Sequence, residues 1–154
     1  MKMRIEHVNL VVDDIPSTLA FLRAALPSWD VRAEGDSEWY GTPRKWLHFG
    51  DSHHYITLND HGTAPNRDLR GLSVGLAHIG MEVDDVDGVV ERLKAAGHEP
   101  TTIGADHPHR KTVYFTEPAG FEFEFIQYLS DDPKQRNLYG GETSGITRVS
   151  TEPS

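Results

Sequence analysis

Along residues 4–12 apolar and polar side chains alternate: Val8, Leu10 and Val12 fall on one face of an extended chain, His7 and Asn9 on the other. Strand side chains point alternately to two faces, so the segment reads as a half-buried strand. The spacing then changes to three and four. Leu19, Phe21, Leu22 and Leu26 line one side of a helix over about 16–26. Asp13 and Asp14 stand where capping residues belong, Pro16 suits the first turn, and Pro27-Ser28 ends the helix. Three further strands are expected at about 29–34, 44–50 and 53–59. Gly35, Gly41-Thr42-Pro43 and Gly50-Asp51 punctuate them.

After a polar linker over residues 60–73 the order repeats. A strand is expected at about 75–83, with Ile79, Met81 and Val83 on one face and His78 and Glu82 on the other. Asp84-Asp85 cap a helix at about 86–96 whose buried face holds Val86, Val89, Val90 and Leu93, and Gly97 closes it. Strands follow at about 99–103, 111–116 and 121–128. In the last, Phe121, Phe123 and Phe125 share the apolar face and Glu124 points away. The segments EHVNLVVDDI and AHIGMEVDDV carry the same pattern of His, alternating apolar residues and Val-Asp-Asp, which is an internal repeat. Each module is β-α-β-β-β, and one alone has too little core. The fold class is therefore α+β: two modules, about 1–60 and 74–128, form one domain over 1–128. Residues 129–154 read as a C-terminal arm whose last dozen residues are weakly ordered, with Leu138 and Tyr139 anchoring it on its own module or on a partner subunit.

Composition narrows the class of function. With 37% hydrophobic and 25% charged residues, the chain is an ordinary globular one. It has no run of about 18 apolar residues and no basic segment leading an apolar stretch at the N-terminus, so neither a membrane span nor a secretory signal is expected. A cytoplasmic location follows by default. Zero Cys excludes disulfides and thiolate ligands, so a metal here takes nitrogen and oxygen. A net charge of -9 disfavours nucleic acid and anionic membranes as partners.

The chemistry concentrates in His7, His78 and Glu124, which project from three strands away from their apolar sides. Two imidazoles and one carboxylate make the triad that suits non-heme Fe(II) and leaves coordination positions open. A lone His on a strand is more often a surface or hydrogen-bonded residue, and this chain has nine. The repeated context singles out these two. The three ligating groups are expected to converge on one cation.

These residues resemble the vicinal-oxygen-chelate superfamily, whose members pair β-α-β-β-β modules into a cupped mixed sheet around a metal, with helices on the outer face. Glu117-Pro118-Ala119-Gly120 followed by Phe121-Glu122-Phe123-Glu124 is similar to the family's turn and the strand bearing its metal Glu. The resemblance covers roughly residues 4–128. Two local features are similar to the extradiol ring-cleavage dioxygenases. One runs from His107 through Tyr114 to Glu124; the other is Trp46-Leu47-His48-Phe49-Gly50-Asp51-Ser52-His53-His54-Tyr55, whose second His, His54, takes the acid/base place. Ala105 departs from the first signature.

The resemblance implies a metal-dependent enzyme. Its metal is Fe(II) or Mn(II), its catalytic residues are His54, Tyr114 and His107, and Asn9, Trp46, His48, Tyr55 and Thr57 line the pocket. The substrate would be a small, aromatic, catechol-like molecule cleaved with dioxygen, and the assembly a homodimer. Two alternatives use the same triad: a fosfomycin-type thiol transferase, where Asn9 stands in place of a Thr, and a glyoxalase-like isomerase, where Thr57 stands in place of a fourth ligand. A metal-free antibiotic- or ligand-binding protein is the third.

Overall fold

A computed structural model describes residues 3–139 and 146–148. The chain divides into two compact units, residues 1–66 and 67–154. Among the described residues no helix is long and apolar enough to cross a membrane.

The first unit holds β1 (His7–Val11), α1 (Ile15–Ala25), β2 (Asp30–Trp39), β3 (Thr42–Gly50) and β4 (Tyr55–Asn59). Its sheet runs β1-β4-β3-β2, with β1 parallel to β4 and the other pairs antiparallel. Asp14 caps α1 by accepting the Ser17 N–H at 3.0 Å. The helix buries Thr18, Phe21, Leu22 and Ala25, while Leu19 is only half-buried. The unit's core also contains Leu10, Val12, Leu47, Phe49, Ile56 and Leu58. Each such side chain contributes about 1.5–3 kcal/mol by leaving water.

Gly35 does not interrupt this sheet as the sequence pattern suggested. It sits inside β2 opposite Trp46, whose indole lies 3.0 Å from where a Cβ would stand. The strand therefore runs on to Trp39, and the hairpin turns at Tyr40 (φ 48°) and Gly41 (φ 80°). Two successive positive φ values make the tight turn whose twist matches the flanking strands. The β-bulge of this unit lies in β2, between Val31 and Ala33.

The second unit holds β5 (Ile79–Glu82), α2 (Val86–Ala95), β6 (Thr102–Gly104), β7 (Arg110–Thr116), β8 (Glu122–Tyr128), α3 (Pro133–Arg136) and β9 (Ile146–Arg148). Its sheet runs β5-β8-β7-β6-β9, and β5 is parallel to β8 as β1 is to β4. Asp85 caps α2 through the Gly88 N–H. At the other end Gly97 takes φ 89°, its N–H bonds Lys94 O, and the His98 N–H bonds Leu93 O. That is a Schellman closure, and it delays β6 to Thr102 from the expected residue 99. Val86, Val89, Leu93, Val113, Phe115, Phe123 and Phe125 form this unit's core.

The arm does more than the sequence suggested. It contributes α3 and, through residues 146–148, an edge strand on β6. The Arg110 guanidinium lies 4.2 Å from the Tyr139 ring centroid and donates to Leu138 O at 2.8 Å. Residues 129–139 thus dock on their own module. The expected weak order of the last dozen residues concerns positions that, apart from 146–148, lie outside the described residues. The structure is α+β with two β-α-β-β-β modules, each carrying its own mixed sheet.

Candidate metal and substrate site

In the second unit one sheet face collects polar groups. Register places Glu124 beside Gly80 on β5 and Tyr114 on β7. The apolar alternation Phe123, Phe125 turns the opposite face to α2. His78 sits one residue before β5 and turns its ring to Glu124: Nε2 stands 3.0 Å from Oε2. The Tyr114 hydroxyl donates to the other carboxylate oxygen at 2.6 Å. Burial, and then the hydrogen bond to the Glu124 carboxylate, hold the Tyr114 hydroxyl far above the ordinary tyrosine range. Tyr114 therefore remains a protonated donor at neutral pH.

In the first unit the same parity brings His7, Asn9, Trp46, His48, Tyr55 and Thr57 to one face. The rings form a row: Trp46–His48 centroids are 4.8 Å apart, His48–Tyr55 4.6 Å and Tyr55–His7 4.7 Å. Arg32, set at the bulge in β2, lies 4.5 Å over Tyr55. Burial lowers the His48 pKa, and the Arg32 and His7 charges add to this, so His48 is neutral at pH 7. Thr57 is buried between Asn9 and His48 in the register. Asn9 Oδ1 accepts the Asn59 amide at 2.6 Å.

Two expected catalytic residues, His54 and His107, lie in loops rather than on these strand faces. His54 belongs to the loop between β3 and β4, not to a strand face, and its Nδ1 is 3.8 Å from Asp51 Oδ1. The reason is local. Asp51 Oδ1 accepts the N–H groups of His53 and His54, both at 2.7 Å, which pulls both residues into a turn and holds the Asp51 carboxyl below its usual range. His107 precedes β7 and faces the arm. Its Nδ1 accepts the His109 N–H at 3.1 Å and its Nε2 donates to Leu138 O at 3.2 Å. Four strand residues separate Arg110 from Tyr114, about 13 Å, so His107 is at the other end of β7 from Glu124.

Among the described residues no three His, Asp or Glu side chains form a group that could hold a metal. What the structure brings together is His78 with Glu124; His7 belongs to the other unit. The pair fits a cation on donor chemistry and spacing. Two ligands in adjacent positions about 2.0–2.2 Å from one metal stand about 3 Å apart, and Tyr114 supplies the outer hydrogen bond that orients a ligating carboxylate.

Residues the sequence pattern passed over also gather here. Arg136 donates to both Glu82 oxygens, at 3.0 and 2.9 Å, and lies 3.7 Å over the Tyr128 ring. The parity of Glu82 with His78 was a legible signal. The partner from α3 was not. Glu117 is 2% exposed and accepts the Phe121 N–H, fixing the turn that leads into β8.

The chain is similar to several known proteins. It is 30% identical over 131 residues to a probable chloroplastic lactoylglutathione lyase of Arabidopsis thaliana, covering 82% of this chain and 36% of the relative. The chain thus spans about a third of that protein's length. It is 29% identical over 134 residues to a lactoylglutathione lyase of Neisseria meningitidis serogroup A, covering 84% of this chain and 94% of the relative. Its fold matches the crystal structure of FosX, a fosfomycin resistance protein of Listeria monocytogenes complexed with Mn(II) and sulfate. The TM-score is 0.62 at 21% identity, over 88% of this chain and 98% of that one. The model of the Glyoxalase/Bleomycin resistance protein/Dioxygenase superfamily matches residues 4–125, and the chain belongs to that superfamily.

Proposed function

We propose that this chain is a metal-dependent enzyme acting on a small oxygen-bearing molecule, with His7, His78 and Glu124 as the protein ligands of one divalent cation. The observation that carries the reading is the His78–Glu124 pair, its ligating atoms 3.0 Å apart and its carboxylate braced by Tyr114. His7 occupies on β1 the place that His78 occupies ahead of β5 in the repeated module. When bound, the metal would supply Lewis-acid polarisation of a substrate oxygen. Tyr114 keeps the carboxylate oriented. His48, neutral and two rings from His7, is placed to accept a proton. The Trp46–His48–Tyr55 row offers flat apolar surface to a substrate.

The reaction class that fits best is an isomerase, lyase or thiol or water addition that uses no dioxygen. Two lactoylglutathione lyases among the relatives support it, and so does the engagement of His107 with the arm, at the other end of β7 from Glu124. Extradiol cleavage of a catechol with Fe(II) is the second reading. It is favoured by Tyr114 beside Glu124 and by the aromatic row.

Metal content separates the site from its absence. Chain loaded with Mn(II) or Fe(II) and desalted should retain one ion, and His7→Ala, His78→Ala and Glu124→Gln should each lose it. Retention by all three variants would refute the site. Oxygen uptake on a catechol panel against thiol or hemithioacetal turnover then decides the reaction. Uptake of dioxygen coupled to ring opening would overturn the first choice.

A further inference from the structure

The second unit holds a groove that the metal reading does not use. Its volume is about 850 Å³, within the range of about 300–1,000 Å³ that small-molecule sites occupy. From α2 it is lined by Asp87, Val90, Glu91 and Lys94, which are spaced three and four apart and so share one side of the helix. Ile103 of β6, the run from Gly104 to Pro108 and Val113 of β7 complete it. Val113 is next to Tyr114 on β7, so it takes the opposite sheet face from Tyr114 and Glu124. None of the metal ligands and none of the aromatic row line the groove.

Apolar surface and charge are unequally settled here. Ile103 and Leu129, both in the lining, are each 50% exposed, and Val90 is half-buried. An apolar body laid on them would take that surface out of water, which is favourable in proportion to its area. The basic groups of the lining are engaged. Lys111 Nζ stands 2.5 Å from Asp87 Oδ2 and Lys94 Nζ 3.8 Å from Glu99 Oε2. Arg110 donates to Arg136 O and Leu138 O, and both ring nitrogens of His107 are hydrogen-bonded. Two carboxylates are different. Glu91 and Asp106 are exposed in the lining and make no hydrogen bond or ion pair among the described residues. The charge left unspent in the groove is therefore negative.

We propose that this groove binds a small organic monocation with an apolar ring body, an arylalkylamine in chemical class. The ring lies on Val90, Ile103 and Leu129, and the ammonium faces Glu91 and Asp106. A carboxylate or phosphate would meet two uncompensated negative groups instead. A bare metal ion is excluded by the ligand set, since no three His, Asp or Glu side chains among the described residues form a group that could hold one. The site stands on the groove alone and holds whatever reaction the metal face performs.

The test is methyl NMR on the full chain without metal at pH 7. Four probes are titrated: naphthylmethylamine, naphthylmethanol, sodium naphthoate and tetramethylammonium chloride. The amine should give saturable shifts at the Ile103, Leu129 and Val90 methyls. The alcohol, with the same ring and no charge, should bind about fivefold more weakly, the size of exposed charge pairing. The naphthoate should bind at least about tenfold more weakly, with two repulsions in place of two attractions, and tetramethylammonium should not shift these methyls. The double variant Glu91→Gln/Asp106→Asn changes only exposed side chains. It should bring the amine to within about twofold of the alcohol and leave alcohol binding unchanged. Ile103→Thr keeps a β-branched residue in β6 and should weaken amine and alcohol alike. The proposal is overturned if the amine gives no saturable shift at these methyls, or if naphthoate binds as tightly. It is equally overturned if tetramethylammonium reproduces the shifts, or if either folded variant binds the amine as the parent does.

Discussion

Glu124 has its two carboxylate oxygens assigned to different tasks. One faces His78 and the other accepts the Tyr114 hydroxyl. Tyr114→Phe removes only the second. A lost outer hydrogen bond of this kind weakens a metal by about 10–100-fold, and a competition titration with a chelating dye should read that loss with one ion per chain still bound at saturation. An unchanged affinity would make the Tyr114 contact ornamental. Asp51 gives a prediction in pH. Its carboxyl is held below the ordinary 3.8 chiefly by the His54 and His53 backbone N–H groups. A depressed native pKa contributes stability that is present above the unfolded value and lost as pH falls through the native one. The thermal midpoint of the parent should therefore drop more steeply below about pH 4 than that of Asp51→Asn, with the two curves parallel above about pH 5. Parallel curves throughout would remove the linkage.

At the scale of elements, Gly50 sets the geometry of the β3–β4 connection. A Cβ on Gly50 would meet His54 O at 2.1 Å and the Tyr55 backbone at 2.6 Å. Neither neighbour is a flexible side-chain end, so the β3–β4 connection must open to admit it. Gly50→Ala should cost about 3 kcal/mol in urea unfolding, at the upper end of overpacking effects. The cap of α2 is a gentler case. Asp85→Ala leaves the Gly88 N–H unpaired at an exposed helix end and should cost about 1 kcal/mol. A cost for Gly50→Ala no larger than that for Asp85→Ala would mean that the loop yields more readily than its contacts indicate.

At the scale of the molecule, the ligands fall on two compact units, each with its own sheet and core. The expected C2 homodimer, the commonest oligomer class, allows one copy to lend His7 to the His78–Glu124 pair of another. Mixing equal amounts of His7→Ala and Glu124→Gln chains after unfolding and refolding together should then regain about one ion per four chains, since half of the randomly paired dimers are mixed and each of those has one whole site. No recovery, with metal binding intact in the parent, would assign all three ligands to a single chain.

Strand and helix identity, the module repeat, and the parity of His7, Glu124 and Tyr114 were legible in the sequence because they depend on local periodicity alone. Side chains two apart on a strand share a face whatever surrounds them. The caps at Asp14 and Asp85 and the closure at Gly97 were legible for the same reason, since each is satisfied within a few residues. What tertiary structure alone decided is which polar groups meet across strands and loops. His54 leaves the strand face because one aspartate four atoms long captures two backbone N–H groups beside it. His107 turns to Leu138 because the arm folds back onto β7, and Gly35 stays within β2 because Trp46 lies across it. These outcomes depend on the register between distant segments and on the burial that follows from it, quantities that no window of a single strand contains.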